Sequence, residues 1–167
     1  GVDYVLKFDG ETNDGTLTWM EDEAAFSFDS NVGINTTTPG SLLDVRGAAG
    51  VAGILTLATD ELTIVDGDIL GQIDFQAPLE SSGTDSILVG ASIYAEADDT
   101  FSSTVNSTEL VFATATTSTP IERMRIDKDG NVGIGTSTPG SELEVTGKVG
   151  INSVVLGGKA LDVFTST

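Results

Sequence analysis

The sequence contains no cysteine and no histidine. That removes thiolate nucleophiles, Ser-His and Cys-His pairs, and thiolate or imidazole metal sites together. Any enzyme built on this chain would have to work with carboxylates, Lys, Tyr or hydroxyls. Basic residues are scarce: seven Lys and Arg stand against 26 Asp and Glu, a net charge of −19. Phosphate recognition needs clustered Lys and Arg, so nucleic acid is a poor partner, and an anionic membrane surface is disfavoured for the same reason. Long apolar runs are missing as well. The densest, AAGVAGILTLA at 48–58, falls short of the ~18–20 residues of a membrane span, so no membrane insertion is expected. There is no signal-peptide pattern. The chain opens at Gly1 and reads as a piece of a longer chain or a processed product.

What is present is Gly, Ser, Thr and Asp around short apolar runs, the profile of many strands joined by tight turns. Residues 1–30 read as a three-strand meander. Tyr4, Leu6 and Phe8 alternate in YVLKFDG, Leu17 and Trp19 share a face in GTLTW, and Phe26 and Phe28 do so in AFSFDS. The middle, residues 51–127, offers candidate strands GILTLAT, LTIVDG, ILGQIDFQA, SILVGASIYAEA, TELVFATA and IERMRID. Strict alternation places Ile69, Gly71, Ile73, Phe75 and Ala77 on one face, and Ile87, Val89, Ala91, Ile93 and Ala95 on another. No stretch of ten residues has a convincing helical period.

Two segments say the same thing. NVGINTTTPGSLLDVRG at 31–47 returns one hundred residues later as NVGIGTSTPGSELEVTG at 131–147, with 12 of 17 positions identical. A degraded third copy, KVGINSVVLGGKALDV, follows at 148–163 without the proline. The chain therefore divides into a meander (1–30), a first connector (31–50), a central β module (51–127), a second connector (128–147) and a degenerate third (148–167). Each connector reads as strand, sharp turn, strand, with a glycine where something packs close and Pro39 placed to open a single helical or 3₁₀ turn. A unit this small is marginal alone. It escapes by stacking or by pairing with another chain, and association would turn Leu43, Val45, Leu143 and Val145 toward a shared core.

These residues resemble a known family. ERMRIDKDGNVGIGTSTPGSELEVTG is similar to repeat segments of phage tail-fibre proteins and of large bacterial surface proteins, and DYVLKFDGETNDGTLTWMEDE resembles another module of the same proteins. The likeness covers most of the chain. It implies an elongated, trimeric, β-rich fibre that attaches a particle or cell to a surface. Asn35 departs from the family's glycine, which stands at Gly135.

Candidate chemistry is sparse. DKDGN at 127–131 has part of a calcium-loop pattern, making Asp127, Asp129 and Asn131 weak Ca²⁺ candidates against a hairpin turn on Asp129-Gly130; Val132 and Thr138 stand where such a loop has Gly and Glu. Glu21, Asp22 and Glu23 could supply paired carboxylates, or simply a solvated turn. Asn35 and Asn106 head N-glycosylation patterns. Arg123 and Arg125 alternate with Met124 and Ile126, to face solvent or pair with acids. Trp19 is expected in a core, whereas Phe101 and Tyr94 are candidate surface contacts.

The expectation is an all-β, elongated, fibre-like array of short antiparallel strand modules, an intertwined homotrimer without enzymatic activity. Its place would be extracellular, on a virion tail fibre or a bacterial surface, with a cell-surface glycan or protein as possible receptor and no cofactor beyond a possible Ca²⁺. The rivals are an adhesin or pilus-like filament subunit assembled by strand exchange, with DYVLKF as the donated strand, and, further off, a polysaccharide depolymerase.

Overall fold

The computed structural model describes residues 2–8, 15–20, 22, 24–28 and 30–149. Gly1, residues 9–14, Glu21, Glu23 and Asp29, and the third connector from residue 150 onward lie outside them. The described residues are nearly all β: strands make up 40% of them and no α-helix occurs. No helix among them is long and apolar enough to cross a membrane. Two units are present, residues Gly1–Thr56 and Leu57–Thr167.

The first unit holds an antiparallel sheet of β1 (Tyr4–Phe8), β2 (Gly15–Met20) and β3 (Ala25–Phe28) in that order. The aromatic alternation works as the sequence predicts. Tyr4, Trp19 and Phe26 fall in one cross-strand row, and Leu6, Leu17 and Phe28 in the next. Trp19 and Phe26 rings lie 4.9 Å apart. Yet the row is open: Tyr4, Phe26 and Phe28 are all more than half exposed.

The first connector follows as β4 (Val32–Ile34) and β5 (Leu43–Val45), which pair with each other in parallel. The second connector repeats this in the other unit, with β10 (Val132–Ile134) and β11 (Leu143–Val145) in the same parallel register. The expectation of antiparallel modules throughout therefore fails at the connectors. Parallel neighbours ordinarily need a crossover of about a dozen residues or more; here eight suffice, 35–42 and 135–142. The loop manages this by doubling back beneath its own strand. A Cβ on Gly33 or Gly133 would sit 2.6 Å or 2.5 Å from the carbonyl oxygen of Thr36 or Thr136, so only glycine admits the fold-back. The next turn needs a positive φ, supplied by Asn35 (58°) in one copy and Gly135 (74°) in the other. Asn tolerates that region, and Asn35 also donates its Nδ2 to the Arg46 carbonyl at 3.0 Å. Asn at 35 where the second copy has glycine thus leaves the conformation unchanged.

No helical turn forms after the proline; side chains fasten the loop instead. Thr36 and Thr136 Oγ1 accept from the amides of Thr38 and Thr138 at 3.2 and 3.3 Å. The Gly40 amide donates to Asp44 Oδ2 and the Gly140 amide to Glu144 Oε2, each at 2.8 Å. Backbone bonds from Val32 to Leu42 and from Val132 to Glu142 close the loop in both copies.

In the second unit, β6 (Ile69–Gln76), β7 (Val89–Ala97), β8 (Thr108–Thr114) and β9 (Ile121–Ile126) form an antiparallel meander, and β10 pairs with the outer side of β9. The result is one six-stranded sheet, β11-β10-β9-β8-β7-β6. A 3₁₀ turn at Asp85–Ile87 precedes β7. The candidate strands GILTLAT and LTIVDG do not form ladders. Residues 51–63 are all exposed, including Leu62 at 98%, and no strand among the described residues pairs with them. One point is fixed: the Leu57 carbonyl lies against Gly71, where a Cβ would meet it at 2.6 Å.

Because the same φ is met by Asn in one copy and Gly in the other, Gly135→Asn should leave unfolding free energy within about 0.5 kcal/mol. Gly135→Val should cost about 1–2 kcal/mol, since a β-branched residue resists the left-handed region. Urea denaturation of the three proteins checks this; equal losses for Asn and Val would overturn the account of the turn.

Candidate functional site

The six-stranded sheet has two unlike faces. On one, pairing aligns Val145, Ile134, Met124, Phe112, Ile93 and Ile73 in a single row across all six strands. A second row runs Leu143, Val132, Ile126, Leu110, Ala95 and Gly71. On the other face lie Gln72, Asp74, Ser92, Tyr94, Glu96, Glu109, Glu122 and Arg125. Alternation alone would put Ile69 and Val89 among the apolar rows. β-bulges between Ile69 and Gly71 and at Phe75–Gln76 shift the register, so Ile69 stands opposite Glu96 and Val89 opposite Gln76.

The polar face, which also carries Val111 and Ala113, is the more closed one, although Gln72 and Asp74 on β6 are exposed. Ser92, Glu109 and Arg125 are buried, at 4%, 5% and 9% exposure. The Arg125 guanidinium donates to both Glu122 oxygens, through Nε at 2.8 Å and Nη2 at 2.6 Å, and its Nη1 pairs with Glu109. Ser92 Oγ and Gln72 Nε2 both donate to Asp74 Oδ1. Loops of the same chain border this face: Thr138 and Pro139 of the second connector beside Glu109 and Arg125, and Thr119 and Pro120 beside Ser92 and Tyr94. The apolar face is the open one. Ile73, Leu110, Ile134 and Leu143 are 40–61% exposed, and no large side chain of the two rows is fully buried. The buried apolar side chains among the described residues are Ala97, Val111, Ala113 and Pro139.

The charges on the closed face are unbalanced: three glutamates surround one arginine. Burial raises the Glu96 carboxyl above its ordinary value, and the neighbouring Glu109 and Glu122 charges add to this against the pull of Arg125. Burial likewise raises Glu109, partly offset by its bond to Arg125. Tyr94 is raised by burial and then by the Glu96 and Glu122 charges. In the first connector the order is opposite. Arg46 chelates Asp44 at 2.7–3.2 Å and, with the Gly40 amide, holds that carboxyl down at about 2.

The expected site residues fall as follows. Leu43 and Leu143 are exposed at 54% and 61%, and Val45 and Val145 are half-buried; within one chain they build no core. Leu143 and Val145 instead end the two apolar rows. Tyr94 is half-buried on the ionic face rather than displayed. Phe101 is half-buried in the 98–107 loop, its amide donating to the Ile64 carbonyl at 3.0 Å. Asp127 serves the β9–β10 hairpin: its carboxylate accepts from the amides of Asp129 (2.9 Å) and Asn131 (2.8 Å) and from Asn131 Nδ2 (3.0 Å). Although burial opposes it, these bonds hold Asp127 below the usual carboxylate range. No group of three or more acidic side chains among the described residues is placed to hold a metal. Asp22 is exposed, and its neighbours Glu21 and Glu23 lie outside the described residues. Arg125, expected to face solvent or pair with acids, is buried and pairs with Glu109 and Glu122 of its own chain; the bulge at Phe112–Ala113 turns Glu122, three residues away, to the same face. Compared with models of known protein families the chain matches none, and no curated protein matches it.

A carboxyl raised on folding resists ionisation in the folded state, so its destabilising effect is present above the folded value and vanishes as pH falls below the unfolded one. Tm should therefore rise as pH falls toward the ordinary glutamate range and Glu96 and Glu109 take protons. It should fall again as Asp44, whose stabilising ionisation is lost toward its value of about 2, is neutralised. Glu96→Gln should raise Tm by a few degrees at pH 7 and flatten the rise. Circular dichroism melts across pH would count against this if the variant kept the wild-type slope.

Proposed function

We propose that this chain is a non-enzymatic structural segment of an extracellular β-rich fibre of the phage tail-fibre type, an intertwined homotrimer that positions or contributes to surface attachment. The observation that carries the reading is the pair of connectors. Two segments one hundred residues apart close the same eight-residue parallel loop with the same bonds, though five of their 17 residues differ. A repeated unit that is built alike, yet has three-residue strands and exposed Ile34, Leu43, Ile134 and Leu143, is suited to serial stacking rather than to independent folding. The central sheet between them is the module on which a cell-surface glycan or protein receptor would be sought. Its exposed loops at 77–85 and 99–104 carry Leu79 at 95% exposure.

A second reading, a bacterial filament subunit assembled by strand exchange, draws on one edge. In the second connector the outer side of β10 is taken by β9; in the first, the corresponding side of β4 enters no ladder among the described residues. An incoming strand could complete it. The N-terminal strand is not free for full donation, since β1 already pairs with β2 over five residues.

Sedimentation equilibrium at micromolar concentration should give three times the 17.2 kDa of one chain, and unheated gels should retain the trimer in detergent. Negative-stain images should show rods of fixed width. A compact monomer would sink the fibre reading; helical filaments with one strand exchanged per subunit would move the assignment to the second.

A further inference from the structure

We infer that the apolar face of the β6–β11 sheet is the surface through which copies of this chain associate, each turning its two rows toward another copy and its ionic face outward. The inference deepens the fibre reading and rests on it for the identity of the partner. Three observations carry it.

The first is need. A sheet with one apolar face requires a second layer. Along the two rows Ile73, Leu110, Ile134 and Leu143 stay 40–61% exposed and the other large side chains are only half-buried, while the Leu57 backbone lies over Gly71 at one corner. Every folded copy meets the same need, and another copy is the partner always present in matching number.

The second is charge. Neither row contains an ionisable residue, in a chain of net charge −19. Like-charged copies can approach at least cost where charge is absent. A basic partner would be drawn instead to the Asp74, Glu96 and Glu109 side, which the chain's own loops already border.

The third is area. Six strands spaced about 4.8 Å apart and two rows about 7 Å apart make a stripe on the order of 400 Å², already as large as the main apolar patch of an ordinary monomer. A stable interface needs about 800 Å² per partner, and a third row on the same face, Phe75, Ala91, Thr114 and Ile121, extends the stripe toward that size, with Phe75 54% and Ile121 56% exposed.

The absence of cysteine makes the test direct. Single thiols are introduced by Ile73→Cys and Leu110→Cys on the apolar face, and by Gln72→Cys on the other, all three sites being exposed in one chain. Each native protein is treated with a maleimide, with a urea-unfolded sample as reference. The thiols at 73 and 110 should react at least tenfold more slowly than the thiol at 72, and the difference should vanish on unfolding. A charge at the same site, Ile73→Lys, should lower the sedimenting mass to that of the monomer, while Gln72→Lys should not. An oligomer in which all three thiols react alike overturns the inference and leaves the fibre reading standing. Protected thiols in an oligomer that forms no rods support the inference and remove the fibre reading.

Discussion

A β-sheet buries free energy only through its faces, and a sheet one layer thick has nowhere in its own chain to bury them. Everything about this molecule follows from which face is left over. In the six-stranded sheet the closed face is the charged one, organised around the Arg125 guanidinium and its Glu109 and Glu122 partners. The open face holds the continuous row from Val145 to Ile73. The aromatic meander repeats the condition on a smaller scale, with Tyr4, Phe26 and Phe28 exposed on one side. A single chain therefore presents its driving force for folding as surface. The hydrophobic contribution, about 25 cal/mol per Å² of area removed from water, is largely unrealised until a second layer arrives.

The connectors explain how very short strands hold their order. Parallel strands of three residues would not survive as free elements. They persist because the loop between them is fixed at nearly every position: a glycine under the fold-back, a left-handed residue at the turn, a threonine hydroxyl holding the amide two residues on, and a carboxylate receiving the Gly40 or Gly140 amide. The two copies reach this end with different residues. Asp44 is short and is braced by Arg46, whereas Glu144 is longer, reaches the same amide, and is followed by Thr146. Geometry is kept while chemistry varies, as expected where the selected property is a shape.

Much of this was legible in the residues. Identity between the two repeat copies marked the connectors, and the tight glycine and the turn at Asn35 and Gly135 showed as a packing site and a departure. Alternation found the strands of the meander and most of the central sheet. Strand direction was not legible, because period-two alternation is the same for parallel and antiparallel partners. Nor were the bulges that carry Ile69 and Val89 to the ionic face; an inserted residue leaves no mark in the pattern. The run at 53–67 looked like two strands and forms none, since a ladder is a property of two segments and sequence composition describes only one. Arg125 illustrates the same limit. Its buried partner Glu109 is 16 residues away on a neighbouring strand, and only the pairing of β8 with β9 brings them together.

The ionic face acquires its meaning from the apolar one. Buried ion clusters add little net stability, because desolvation offsets attraction, and three carboxylates around one guanidinium leave uncompensated charge. Such a cluster does discriminate strongly between the two sides of the sheet. Turned inward against other copies, Glu96, Glu109 and Glu122 would set several like charges together around an axis, at a cost that rises steeply as water is excluded. Turned outward, the cluster would be bordered by Thr138 and Pro139 of its own chain and its excess charge would stay near solvent. In an assembly of copies the acidic composition would then favour one orientation of the sheet over its reverse: association through the uncharged rows would be permitted, and wrong-face pairing opposed by the same residues that make the chain so acidic.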